Sequence, residues 1–346
     1  MSPKQNTPHK RPTQLDVAKA SGYSRPTVSL ALKGDPIVSV ATRQRIRKIA
    51  DEIGYVPDPL LSALSKYRNK NITKSYQGTL AWISSSPADN PWNKITPYHE
   101  YYLGACKQAQ RLGYNIEAID IQKQHLSSRR LDGILNARGI NGLLVCPPVH
   151  SNEEYDLPWD RYSLITFGYS VSSPSLHRVS SSHYRATKRV YSELREAGYR
   201  RIGFAFSAEV NRKTQDHCLS AYLCETHKSK EKAIPPLIQD PITSNDFKTW
   251  CDRHQPDAVI ISSPYWQAIQ ESGIRIPNDL SIASPMVAKH SPELSGIIEK
   301  CQEIGAAAVD TLVQMIEHEM RGIPEDPKYI LLEGKWNKGK TMRNRV

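Results

Sequence analysis

The sequence predicts an α/β protein of 346 residues in which a small, basic, all-α head precedes a larger two-lobed core built on parallel sheets. Residues 13–33, TQLDVAKASGYSRPTVSLALK, read as two short helices joined by a tight turn. From residue 76 onward, short apolar runs alternate with helical stretches, which is the pattern of strands linked by crossover helices. Charge divides the same way: residues 1–75 hold 14 Lys and Arg against 5 Asp and Glu, whereas the remainder holds 32 against 30. A basic head on a nearly neutral body is the footprint of a module that binds a polyanion.

Residues 1–12 are polar, basic and proline-containing, and are expected to form a disordered arm along phosphates. Thr13 can open the first helix by capping a backbone N–H, with Asp16 facing the positive helix end. Leu15, Ala18 and Lys19 follow at helical spacing. Gly22 stops this helix, because glycine takes the left-handed C′ conformation without steric cost. Ser24 caps the second helix, and Pro26 falls in its first turn, where a missing N–H does no harm. Val28, Ala31 and Leu32 give it an apolar face, so Arg25, Thr27, Ser29 and Leu30 point outward. Small polar and basic side chains at the start of an exposed second helix suit entry into a DNA major groove. A third helix capped by Ser39 turns Ile46, Ile49, Ala50 and Ile53 toward the small core, and Gly54 ends it. A plain helical hairpin shares the bare pattern, but would not concentrate almost all the excess charge in a fifth of the chain.

Val56-Pro57-Asp58-Pro59 then interrupts the helical pattern, and residues 60–68 resume it for barely two turns, too short to be stable alone in water. In the core, GTLAWISS, NIEAIDI, GLLVC and YSLITFG read as buried strands, with helices around 98–112 and 126–137. After a long helix from residue 183 to 197 the pattern restarts with RRIGFAF, AIPPLIQ and DAVIIS. Two similar halves with a cleft between them form a small-molecule trap that can hinge shut. The expected divisions are the arm 1–12, a helix-turn-helix head 13–57, a hinge helix and linker 58–75, the core 76–333 and a frayed basic tail 334–346. Within the core, the first lobe takes about 76–177 plus 287–333, and the second about 178–286.

The runs DVAKASGYSRPTVSLALKG and VSVATRQRIRKIADEIGYVPDPLLSAL resemble the N-terminal segment of the lactose-repressor (LacI) family of bacterial transcription regulators. REAGYRRIGF, SGIRIPNDLSI and EIGAAAVDTLVQMI resemble its core, which is similar to periplasmic sugar-binding proteins. The resemblance implies a homodimeric repressor on a near-palindromic double-stranded DNA operator, controlled by a small-molecule effector. It implies that Arg25, Pro26, Thr27 and Leu30 face base edges, with Thr13, Ser24, Ser39 and Tyr55 positioned for phosphates and Lys33 near the groove. Leu64 matches the family's hinge leucine, an apolar wedge that unstacks a minor-groove step. The sequence also departs from the family. Leu30 stands where Arg is usual, Met286 where a hydroxyl-binding Asp falls, Cys218 where an Arg clamps ligand, and Pro241 near an aromatic platform. Recognition of a sugar needs polar groups paired to its hydroxyls and a ring to stack on, so these losses disfavour a typical sugar effector. Ser84, Tyr98, Phe167, Arg212, Thr214 and Trp266 remain as candidate effector contacts, with Trp82 also expected near the cleft.

Other chemistries find no support. The six cysteines show no C-x-x-C pair and no histidine partner at zinc spacing, so no metal or cofactor is expected. Residues 334–341, GKWNKGKT, match the phosphate-loop pattern, yet only five residues follow Thr341, too few for the helix such a loop opens. H-E-x-x-H and G-x-S-x-G motifs are absent, and no enzyme is expected. No apolar run approaches the roughly 18–20 residues that span a bilayer, and the run MSPKQNTPHKRP lacks a signal segment, so cytoplasmic residence is expected. The rival readings are a ligand-binding sensor acting through a protein partner and, more remotely, a nucleotide-dependent transferase using the C-terminal glycine run.

Overall fold

A computed structural model describes residues 12–32, 35, 37–55, 76–150, 155–229, 231–289 and 291–344. It divides into two compact units, residues 1–75 and 76–346.

The head consists of α1 (Gln14–Ser21), α2 (Arg25–Leu32) and α3 (Val40–Glu52). Gly22 ends α1 at φ 76°, and its N–H bonds the Ala18 carbonyl. Thr13 is the N-cap of α1 and forms a capping box with Asp16, whose carboxylate accepts both the Thr13 N–H at 2.8 Å and the Thr13 hydroxyl at 2.7 Å. Val17, Ala18, Val28, Ala31, Val38, Ile46 and Ala50 form the buried core. Val17 thus takes the place expected of Leu15, which is 49% exposed. Of the three residues read at helical spacing in α1, Ala18 is buried, whereas Leu15 and Lys19 lie on the exposed side.

The second unit holds two six-stranded sheets. The first comprises β1 (Gly78–Ser84), β2 (Tyr114–Asp120), β3 (Gly142–Val145), β4 (Ser163–Phe167), β5 (His177–Ser181) and β11 (Tyr329–Leu332), all paired in parallel in the order β11-β5-β4-β3-β1-β2. The second comprises β6 (Ile202–Ser207), β7 (Leu237–Gln239), β8 (Ala258–Ile261), β9 (Ser281–Val287), β10 (Ser295–Ile298) and β12 (Lys335–Asn337). Its order is β12-β10-β9-β8-β6-β7, parallel except for the antiparallel pair β10 and β12. Helices α4 (Thr96–Leu112), α5 (Ser128–Ala137) and α11 (Cys301–Glu317) accompany the first sheet. Helices α6 (His183–Glu196), α7 (Ala208–Lys213), α8 (His217–Lys228), α9 (Ser244–His254) and α10 (Trp266–Gln270) lie in the other lobe.

The chain passes between the sheets after β5, after β10 and after β11. The return to the first lobe therefore follows Ile298 rather than lying near Met286, since both β9 and β10 belong to the second sheet. Lys335–Asn337 joins that sheet as β12, and residues after it are hydrogen-bonded to the second lobe instead of fraying. The Thr341 hydroxyl donates to the Ile282 carbonyl at 2.7 Å and accepts from the Ser295 N–H at 2.9 Å. The Arg343 N–H donates to the Tyr199 hydroxyl at 3.1 Å. The run that imitates a phosphate loop thus spends its glycines and threonine on a strand and its anchor.

Strand β5 was not legible because its residues, HRVSS, are mostly polar. Arg178 is nevertheless 2% exposed: its guanidinium donates to the Val171 carbonyl at 3.0 Å and lies 4.9 Å from the Tyr329 ring centroid. Hydrogen bonds and a cation–π contact together make such burial tolerable. Strand β7 is shorter than AIPPLIQ suggested, because Pro235 and Pro236 lack the N–H a sheet position needs.

Candidate DNA-reading head and effector cleft

Helix α2 begins where Ser24 accepts the Thr27 N–H at 3.3 Å, and the two hydroxyls share a hydrogen bond of 2.8 Å. Arg25 and Pro26 sit exposed in the first turn of this helix, beside a half-buried Thr27. Leu30 is half-buried and packs against the head core, as does Tyr55. Leu30 is thus partly a packing residue, which explains how the head tolerates leucine where the resemblance led us to expect arginine. Ser39 caps α3 by accepting from the Thr42 N–H at 3.3 Å, and donates to the Thr42 hydroxyl at 2.9 Å. Lys19, Arg45 and Lys48 are exposed on α1 and α3. Thr13 is exposed as well. Lys33, Leu64 and the whole hinge stretch 58–75 lie outside the described residues.

A cavity of about 690 Å³ opens between the two lobes of the core. Of the expected effector contacts, Tyr98 and Thr214 line it. The other four do not. Ser84 is buried and donates to the Asp120 carboxylate at 3.1 Å. Phe167 is fully buried with its ring 5.2 Å from those of Trp82 and Tyr101. Arg212 pairs with Glu209 at 2.7 Å, and Trp266 packs on the second-lobe core. Ser84 and Phe167 end strands, Arg212 lies in α7 and Trp266 opens α10, and these ends also close the lobes' own cores. Trp82, also expected at the cleft, is part of the first-lobe core. Met286 does line the cavity, and Cys218 does not. Burial pushes the Cys218 thiol up to about 12, so it stays a neutral thiol in the second-lobe core.

Lys213 is a cavity residue that sequence reading missed. It ends α7, whose start is held by the Ser207 hydroxyl accepting the Val210 N–H at 3.1 Å. Its ammonium crosses the cleft to donate to the Val149 carbonyl at 2.5 Å and the Tyr98 hydroxyl at 3.3 Å, both in the first lobe. The Glu209 carboxylate lies 4.0 Å away on the lysine's own helix. Charge-assisted hydrogen bonds contribute about 1.5–3 kcal/mol. Lys213→Met is therefore expected to speed local opening roughly tenfold at least, read as faster amide hydrogen exchange in α7 and around Val149. Exchange that stays as slow as in the parent protein would show that the lysine does not hold the lobes together.

Three histidines of the core are held below the ordinary imidazole range. Burial is the largest cause for His177, His183 and His217; Lys328 adds to it for His177, while Glu299 opposes it for His183 and Asp216 for His217. For His177 the geometry agrees, since its Nδ1 accepts the Lys328 N–H at 2.9 Å and protonation would forfeit that bond. Each binds fewer protons folded than unfolded. Their contribution to stability is therefore complete above about pH 6.5 and is lost as pH falls through the lowered folded values. The melting temperature of the core should drop between about pH 7 and pH 5; an unchanged value across that window would contradict the burial account.

A basic three-helix head and a two-lobed core with a cavity between its lobes define a DNA-binding regulator with a small-molecule compartment. Residues 13–58 match the model of bacterial regulatory proteins of the lacI family, and residues 191–341 match that of a periplasmic binding protein-like domain. The chain thus carries a LacI-family helix-turn-helix domain and a periplasmic binding protein-like domain. It is similar to the ribose operon repressor of Haemophilus influenzae, at 25% identity over 93% of this chain and 98% of that one. It is also similar to the transcriptional regulator GalR of Streptococcus thermophilus, at 26% identity over 87% and 91%. In fold it resembles the Lac repressor dimer bound to operator and the anti-inducer ONPF, with TM-score 0.57 and 18% identity over 96% of this chain and 99% of that one. A regulator named CelR, in complex with cellobiose, gives TM-score 0.54 at 21% identity over 96% and 100%.

Proposed function

We propose that the protein is a cytoplasmic repressor that binds a near-palindromic operator as a homodimer and changes its affinity when a small molecule enters the cleft of the core. The Lys213 bridge is the observation that carries the regulatory half of this reading. A bond that spans the cleft gives the lobes two arrangements, bridged and open, and a ligand with different affinity for the two shifts their populations. The reading half rests on α2, which exposes Arg25 and Pro26 beside Thr27 on a head rich in Lys and Arg. Two such heads on a symmetric dimer meet two half-sites about one helical turn apart. Leu64 is the residue assigned to wedge a minor-groove step between the half-sites, and the bend it makes lets more protein surface engage. Catalysis has no part in this reading. Among the described residues no group of three metal-binding side chains occurs, and no helix is long and apolar enough to cross a membrane.

Genome-wide mapping of the DNA bound by the full-length protein tests the proposal. Bound sites should share a two-fold-related motif, and affinity for it should fall steeply with salt as phosphate contacts release counterions. Leu64→Ala should lessen bending of that site. Binding without a shared motif, or a flat salt dependence, would sink the repressor reading.

A further inference from the structure

We infer that the effector carries a protonated amine, which sits between the Glu299 carboxylate and the His183 imidazole at one wall of the cleft. This deepens the effector reading above and rests on it. His183 opens α6 just after the first crossing between lobes, and Glu299 lies on the second crossing, between β10 and α11. Both line the cavity.

The Nδ1 atom of His183 and Oε1 of Glu299 are 3.8 Å apart, too far for a hydrogen bond to each other. Both atoms are buried and neither has a hydrogen-bond partner among the described residues. His183 as a residue is 8% exposed, and the Glu299 side chain 14%. A buried carboxylate oxygen with no donor is costly. Burial keeps the imidazole below its ordinary range, so His183 does not supply the missing positive charge. The ammonium of Lys213 is directed to Val149 and Tyr98 instead.

The ligand is left to supply that charge. An ammonium placed about 2.8 Å from each atom donates to both and still has a third proton for a further acceptor. Glu100 and Glu303 also line the cavity, so that with Glu299 three carboxylates face the two lysines of the lining, Lys213 and Lys289, and the balance of charge favours a cation over an anion. A neutral hydroxyl supplies one donor and no charge. Tyr98, Tyr101 and Tyr169 line the same space and offer aromatic edges and faces to a cation and its carbon frame.

The test uses the full-length protein with four probes: glucosamine, putrescine, glucose and glucose 6-phosphate. At least one amine should raise the melting temperature and bind by calorimetry, while glucose and its phosphate do neither. Glu299→Gln should keep the fold, since it removes an unpartnered charge, and weaken the amine about 10- to 100-fold. Stabilisation by glucose or its phosphate equal to that of the amines overturns the inference. So does amine binding that Glu299→Gln leaves intact. Silence of all four probes also overturns it if a cellular small-molecule extract, stripped of amines on a cation exchanger, still alters operator affinity; the effector reading then stands. Silence of the probes together with no response to the unstripped extract overturns both.

Discussion

Arg25→Ala lowers affinity for the mapped operator by about 1–3 kcal/mol, roughly 10- to 100-fold, and relaxes preference at a single base position of each half-site. The physical ground is position. Arg25 is exposed at the first residue of α2, the end of a recognition helix that points at base edges, and its fork can pair bidentately with a guanine. Arg45→Ala, on α3, should instead weaken binding about equally on every sequence and lower the salt slope by about one. Gel-shift titrations against operator and scrambled DNA at several salt concentrations separate the two. Equal losses on both DNAs for Arg25→Ala would make that residue a phosphate contact and move base reading to Thr27 and Leu30.

Gly305→Ala should destabilise the core by about 1–3 kcal/mol or more, because overpacking forces helices apart. A Cβ at Gly305 would lie 2.0 Å from the Tyr101 carbonyl oxygen, and one at Gly104 2.0 Å from the Gln302 carbonyl oxygen. These two glycines let α4 and α11 run backbone against backbone, and α11 carries Ile304, Ala308, Val309 and Leu312 into the first-lobe core. Neither glycine has a left-handed φ, so strain in its own backbone is not the cause. In a denaturant melt of the full chain, the core transition should shift while the signal of the head does not. A core transition as stable as the parent's would mean that the helices can separate at little cost.

The head was legible almost residue by residue, because its signals are local. Gly22, Ser24 and Ser39 act through neighbours within about four positions, so the order of residues determines what they do. The buried face of α1 was legible only in part, as buried Val17 and exposed Leu15 show, because which face is covered depends on α2 and α3. In the core, apolar strands such as GLLV and AVII announced themselves, whereas β5 did not. Its burial depends on Val171 and Tyr169 in the loop that precedes it and on Tyr329, which lies on β11 far along the chain.

The cleft divides in the same way. Tyr98 was named for its place after a strand end and Thr214 as a remaining polar contact, but the first cue named Ser84, Phe167 and Trp266 equally well and the second named Arg212. Chain position cannot tell the side of a lobe that faces the cavity from the side that faces its own core.

By itself the sequence determined a basic helix-turn-helix head and a two-lobed parallel α/β core, since periodicity, capping and charge are written locally along the chain, and its motifs carried the resemblance to a regulator family. Only the tertiary structure decided that Lys213 spans the lobes, that the C-terminal run anchors the second sheet, and that His183 and Glu299 face each other with no hydrogen-bond partner among the described residues for the two facing atoms. Each of these depends on atoms brought together from residues tens of positions apart, a proximity that folding creates and no local pattern encodes.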